Sequence, residues 1–287
     1  MKLVRATGQL REALAVPRRE GKRIGLVPTM GSLHDGHLSL IRAARDRCDV
    51  VVVSLFVNPA QFGEGEDLES YPRDEARDAE LAAAAGADLL WAPPVEEIYP
   101  EGFATTVEVS EELTAVLCGD PAQRGPAHFR GVTTVVAKLF NCVGPDLAFF
   151  GQKDAQQAFV IKRMARDLGF PVEIVVMPTV RDPDGLAMST RNAYLDRAER
   201  QRARAIGRGL RAAERRAADG VRSAEQLVET IRGELRSAGI EPEYVEARDN
   251  LSLKRVAELD GRPVLLAVAA KVGRARLIDN TIVNTNP

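Results

Sequence analysis

The chain has 287 residues, enough for one or two domains around a sizeable core. Its 39 basic and 41 acidic side chains leave a net charge of −2, and 45% of its residues are hydrophobic, which describes an ordinary globular protein and gives no support to a polyanion binder. No apolar stretch approaches the roughly 18 residues of a membrane span, and the polar start MKLVRATGQLREALAVPRRE is no secretory signal, so neither membrane nor nucleic acid is expected as a partner.

Residues 23–28 (RIGLVP) read as a short apolar strand, followed by the turn TMGSLHDGH. HLSLIRAARDRC then places Leu38, Ile41, Ala44 and Arg45 at helical spacing. DVVVVSLFV (49–57) does not alternate, so it reads as a strand buried on both faces. This is one βαβ unit, with a parallel strand pair and a right-handed crossover. The pattern continues with a helix over 73–86 closed by Gly86, a strand over 87–93 and a helix over 131–143. A strand over 146–150, a helix over 155–169 and a buried strand over 172–178 complete it. Such alternation predicts a doubly wound parallel α/β domain over residues 1–180.

After about residue 180 the composition changes. Residues 197–220 hold eight arginines, and Ala203, Ile206, Leu210, Ala213 and Ala217 form one helical stripe. The simplest reading is a helix with a solvated basic face; an RNA-binding helix is the sharper alternative. A second amphipathic helix over 223–239 and the short strands EYVEARD, PVLLAVAAKV and ARLIDNTIV make residues 181–287 a smaller α+β domain.

Only three cysteines occur (Cys48, Cys118, Cys142), with no CxxC, so a disulfide framework is not expected and the cytoplasm fits best. The only histidines are His34, His37 and His128. Two of them lie in PTMGSLHDGH (28–37), between a strand and a helix. Ligands of open α/β sheets sit beyond the carboxyl ends of strands, and a helix N-terminus there offers free N–H groups and a positive dipole end. Gly31 and Gly36 permit close backbone approach. Two imidazoles three residues apart would project together from a first helical turn, where they can donate to phosphate oxygens. Zinc ligation and helix capping are the rival readings, although HxxH departs from the HExxH spacing.

His34-Asp35-Gly36-His37 resembles the HxGH signature of the nucleotidyltransferase superfamily, which includes the class I aminoacyl-tRNA synthetases and cleaves nucleotides between the α- and β-phosphates. A second cationic signature is expected, and DGLAMSTRN (184–192) supplies Ser189 and Arg191. SLFVNPAQF ends a buried strand in Asn58, Pro59 and Gln61, a natural place for a polar substrate hook. FFGQKDAQQ (149–157) carries Lys153 as a point charge for phosphate, Asp154 for ribose hydroxyls, and Gln156 and Gln157, one of which should face the cleft. In this order, PTMGSLHDGHLSLI, SLFVNPAQF, EDLESYPRD, HFRGVTTVVAKLF, FFGQKDAQQ, PTVRDPDGLAMSTRNAYLD and ARLIDN closely resemble the pantoate–β-alanine ligase (pantothenate synthetase) family.

That resemblance implies a Rossmann-like first domain, a lid-like second domain reached through a hinge at 179–184, and a homodimer. It implies a two-step reaction of pantoate, ATP and β-alanine through a pantoyl adenylate, with Mg²⁺ on the phosphates. His34, His37, Lys153, Ser189 and Arg191 would surround the phosphates. Gln61 and Gln157 would bind pantoate, and Gln61 also β-alanine. Asp154 with the backbone near Gly151 would hold the ribose, while Met30, Val180 and Met188 frame the nucleotide. Asp78 matches a family magnesium position. Gln152, Ala155 and Thr190 depart from the usual Glu, aromatic and Ser of the family. Arg124 lies four residues before His128 rather than three, and no role is assigned to it. Two alternatives remain: an adenylyltransferase whose dinucleotide is the final product, and nucleic-acid binding by the arginine-rich helix.

Overall fold

The structure is a computed structural model that describes residues 1–284. In chain order its first half comprises β1 (Lys2–Val4), α1 (Thr7–Arg19), β2 (Ile24–Thr29), α2 (Asp35–Arg47), β3 (Val50–Leu55), α3 (Glu75–Ala84) and β4 (Leu89–Trp91). Two short helices, α4 (Val95–Ile98) and α5 (Glu111–Thr114), precede α6 (Pro126–Val143), β5 (Leu147–Gly151), α7 (Ala155–Asp167) and β6 (Glu173–Met177). Then come α8 (Arg197–Ala218), α9 (Ala224–Ser237), β7 (Pro242–Asp249), β8 (Val264–Val272) and β9 (Ala275–Val283).

The first six strands form one parallel sheet in the order β1-β4-β3-β2-β5-β6. Its two faces bury separate apolar clusters, one under α1, α6 and α7 and the other under α2 and α3. Central strand β3 is a run of four valines because both of its faces are covered. From β2 the chain first winds outward through β3 and β4, then restarts on the other side with β5. The sheet therefore has its topological switch point between β2 and β5, where a crevice opens at the carboxyl ends.

The last three strands form an antiparallel sheet, β7-β8-β9, with α8 and α9 packed on one face. The basic helix α8 starts with a capping box between Asp196 and Glu199 and buries the predicted stripe Ala203, Ile206, Leu210, Ala213 and Ala217. The expected architecture, a doubly wound parallel sheet plus a smaller α+β unit, is thus the one found.

Two details differ from the sequence reading. β6 is an edge strand, with Glu173 exposed and Ile174 to Met177 half-buried, because an apolar run alone does not reveal how many neighbours a strand has. Residues 1–22 carry β1 and α1, which the sequence reading left without elements.

Candidate active site

The corner after β2 is built by its own domain. Gly31 (φ 90°) and Ser32 (φ 53°) both adopt left-handed backbone, which turns two amides inward. The buried Asp78 carboxylate on α3 receives them, accepting from Ser32 N at 2.8 Å and Leu33 N at 2.7 Å. Asp78, expected from the resemblance at a magnesium position, thus has a structural partner for each oxygen. Its two oxygens anchor the turn, and it lies on the wall of neither cavity described below.

His34 is the N-cap of α2 rather than a first-turn residue, and its Nδ1 accepts from Gly36 N at 3.1 Å. His37 Nδ1 in turn accepts from His34 N at 3.4 Å, and the two rings lie 4.1 Å apart between centroids. A Cβ on residue 36 would sit 2.8 Å from His34 Cε1, so glycine is required for this fold-back. Because each Nδ1 accepts, each ring is a neutral tautomer carrying its proton on Nε2. Burial, with the nearby Lys153 charge, lowers the His34 pKa. Burial and the neighbouring His34 lower His37 to about 3. At neutral pH the site therefore offers two uncharged N–H donors.

The corner after β5 places Lys153 and Asp154 in a 3₁₀ turn over Gln152–Asp154, with Lys153 Nζ 3.6 Å from Asp154 Oδ1. The two glutamines that follow separate. Gln156 is buried and ties down the 113–118 loop through Cys118 N, Leu113 O and Val116 O. Gln157 faces the cavity.

Gln61 stands on a 3₁₀ turn, Pro59–Gln61, that rests against α6 at Gly131. A Cβ on Gly131 would lie 2.2 Å from Ala60 O. Asn58 is fully buried; it donates to Gln61 Oε1 at 3.0 Å and Gly131 O at 3.1 Å, and accepts from the Tyr99 hydroxyl at 2.7 Å. With its oxygen held by Asn58, Gln61 directs its amide nitrogen towards Met30 Sδ, at 3.0 Å on the cavity wall.

From the 3₁₀ turn Thr190–Tyr194 the second signature closes the opposite wall. Ser189 caps that turn by accepting from Arg191 N at 3.3 Å. Arg191 is not a free cation here. It forms a two-pronged ion pair with Asp67, at 3.0 and 2.7 Å, and lies over the Tyr71 ring.

These segments enclose one cavity of about 220 Å³. Met30, His34, His37, Gln61, Gly151, Lys153, Asp154, Gln157, Val180, Met188, Ser189 and Arg191 all line it. Two buried hydroxyls on its wall, Ser54 Oγ and Thr179 Oγ1, have no hydrogen-bond partner among the described residues, so the wall is chemically open towards a polar ligand. A second cavity of about 530 Å³ shares Met30, Gln61, Lys153, Asp154, Gln157, Ser189 and Arg191 and runs out between the two sheets.

That outer cavity contains residues the sequence reading missed. Arg124 donates to Glu66 Oε1 at 2.7 Å and to His128 Nε2 at 3.0 Å. His128 Nδ1 then donates to Gln61 O at 2.7 Å, and burial together with Arg124 lowers its pKa to about 4. The displaced spacing between Arg124 and His128 hid this connection. Arg276, on the same wall, lies in the ARLIDN segment, but nothing in its local pattern pointed to the cavity.

Among the described residues there is no cluster of three or more His, Cys, Asp or Glu side chains suited to a metal ion. The site combines neutral N–H donors, a lysine, an arginine and two carboxamides around one space, an arrangement fitted to an anion with several phosphates beside a small polar acid.

Residues 2–282 match the family model described as Pantoate-beta-alanine ligase. The chain is 54% identical over 288 residues to Pantothenate synthetase 1 of Bradyrhizobium diazoefficiens, with 100% of both chains covered. It is 54% identical over 293 residues to the pantothenate synthetase of Moorella thermoacetica, again with 100% coverage of both. The crystal structure of pantothenate synthetase from Thermus thermophilus superposes with a TM-score of 0.92 at 45% identity, covering 100% of both chains. The pantoate-beta-alanine ligase of Francisella tularensis, complexed with beta-gamma ATP and beta-alanine, superposes with a TM-score of 0.79 at 32% identity over 98% of this chain and 97% of that one.

Proposed function

The chain belongs to the pantoate–β-alanine ligase family, and on that premise we propose how its residues share out the work of an ATP-dependent ligase that joins pantoate to β-alanine. The carrying observation is that the two imidazoles, Lys153, Ser189, Arg191 and the two glutamines, from distant segments of the chain, line one cavity.

A pantoate carboxylate oxygen attacks the α-phosphorus of ATP. The new C–O–P linkage forms as the bond to the β-phosphate bridge breaks, and pyrophosphate leaves. The β-alanine amine then attacks the acyl carbon, forming the amide and releasing AMP. Neither step needs a covalent enzyme intermediate, so catalysis consists of positioning and charge stabilisation.

His34 and His37 donate through Nε2 to phosphate oxygens. Being neutral, they stabilise charge without supplying a proton. Lys153 and Arg191 supply positive charge, and Ser189 a hydroxyl donor. Arg191 must exchange Asp67 for phosphate, so Asp67 acts as a stand-in anion in this state. Gln61 and Gln157 orient pantoate, and Gln61 also meets β-alanine. Asp154 and the Gly151 backbone hold the ribose, while Met30, Val180 and Met188 frame the nucleotide.

Mg²⁺ enters as part of the ATP substrate, held by the phosphates; the Asp78 carboxylate, engaged by two backbone amides, does not fit as its ligand. Residues 1–180 bind ATP and pantoate, and residues 181–287 act as a lid that keeps water from the acyl adenylate. A homodimer is proposed on the partly uncovered edge strand β6, which offers a surface for a second copy. The cytoplasm is proposed because Cys48, Cys118 and Cys142 are unpaired thiols.

The test is product identity. With ATP and pantoate alone, pyrophosphate should appear only in stoichiometric amounts with the enzyme or through isotope exchange. Adding β-alanine should start turnover that yields AMP and pantothenate. Formation of ADP, or of a stable dinucleotide without β-alanine, would overturn the reading.

A further inference from the structure

Strand β9 has two working faces. Leu277 and Val283 join the core under α8 and α9. Ile278 and Ile282 point the other way: Ile278 packs against the cluster of Cys118, Phe129 and Val160, and Ile282 against the one that holds Leu117. Asn280 stands between those two isoleucines on the same face and is buried. Its Nδ2 donates to the backbone carbonyls of Gln152 and Lys153, both at 2.9 Å. Its Oδ1 accepts from Gln152 Nε2 at 2.9 Å. Both amide protons and the oxygen are therefore engaged by one turn, which fixes the orientation of the carboxamide. Between two isoleucines that pack on apolar clusters, Asn280 is a polar pin on the turn that carries Lys153.

The residue before it holds the other cationic wall. Asp279 is buried and forms a two-pronged pair with Arg181, at 2.5 and 3.0 Å. Arg181 lies in the 179–184 segment that leads to Ser189 and Arg191. Adjacent residues of one strand thus brace both segments whose side chains supply positive charge to the cavity.

We infer that Asn280 is a positioning residue for Lys153, setting the 152–154 turn so that the ammonium group reaches the nucleotide phosphates only while β9 is docked against it. This rests on the reading of Lys153 as a phosphate ligand. Removing the carboxamide leaves two carbonyls without their donors and frees the turn, and misplacing a charged group by about 1 Å is enough to matter at such a site.

The experiment is a double-mutant cycle on ATP binding, with dissociation constants measured by calorimetry for the unaltered protein, Asn280→Ala, Lys153→Ala and the double variant. Melting curves accompany each protein. Asn280→Ala should weaken ATP about 10-fold when Lys153 is present and less than about 2-fold in the Lys153→Ala background. Equal losses in both backgrounds, or no loss in the first, would overturn the inference and leave the role of Lys153 intact. If Lys153→Ala itself leaves ATP affinity unchanged, both readings fall. Should Asn280→Ala not fold, Asn280→Ser, which keeps a hydroxyl donor, serves in the same cycle with the same criteria.

Discussion

The corner after β2 and the corner after β5 stand side by side in one parallel sheet, yet they are held from opposite directions. The first is braced by Asp78, a residue of the same sheet's own helix layer, and by the fold-back of His34 onto Gly36. The second is braced by Asn280 on β9, from the other sheet. A displacement of the C-terminal sheet would therefore leave the imidazoles where they are and release the lysine. On the proposed reading, the donor pair belongs to the first domain, and the placement of the lysine's positive charge depends on the second. If the proposed lid role holds, a site split in this way would assemble fully only when closed, which would suit a reaction whose intermediate must be shielded from water.

The largest effects should come from the corners' own side chains. His37→Ala and Lys153→Ala are each expected to lower pantothenate formation by about 10²–10³-fold, with melting temperatures close to that of the unaltered protein. If either variant kept near-normal kinetics, its corner would lose its place in the site.

Asp78→Asn separates structure from metal binding. It sets an NH₂ against backbone donors, so unfolding free energy should drop by roughly 2–3 kcal/mol, read from urea midpoints. The lost activity should not return with added Mg²⁺. Recovery at high Mg²⁺ with unchanged stability would restore the metal reading of Asp78.

Gly131→Ala probes the pantoate side, away from both corners. The new methyl meets Ala60 O at 2.2 Å, so the Gln61 turn must shift. The KM for pantoate should rise about 10-fold while that for ATP stays within about 2-fold, and overpacking should cost about 1–3 kcal/mol.

Acidification combined with a His37 substitution tests the first corner, because His128, lowered to about 4, contributes in the same window and is unchanged by it. His37 takes up its proton at the usual 6.5 when unfolded but only at about 3 when folded. The unfolded state thus binds more protons in between, and stability should fall as pH drops from about 6.5 towards 3. His37→Gln should flatten part of that slope in urea melts taken across the window. A slope unchanged by the substitution would contradict the neutral, buried imidazole.

The smallest effect is expected at the closing wall. Asp67→Asn removes the stand-in anion from Arg191. ATP should bind a few-fold more tightly, because a partly exposed ion pair contributes on the order of 1 kcal/mol. Weaker ATP binding would mean that Asp67 orients Arg191 rather than competing for it.

The alternation of strands and helices, the glycine-rich turn entering α2 and the stripe on α8 were legible because each is a short-range pattern: residue spacing, capping and burial periodicity act within a few positions. The same holds for the residue types around the cavity, since HDGH, QKD and STR sit at segment ends where a parallel sheet opens. Which partner each of those residues takes was not legible. Asp78 meets a turn 45 residues away, Arg191 an aspartate 124 away, and Asn280 a carbonyl 127 away. Gln156 and Gln157 are neighbours of one type, yet only the packing of the 113–118 loop sends the first into the protein and leaves the second to the cavity. The neutral state of the two imidazoles likewise depends on burial by distant segments. Local sequence chose the elements and supplied the chemical groups; tertiary packing, within the first domain and between the two sheets, decided their hydrogen bonds and their charge, because both depend on neighbours that only the folded chain brings near.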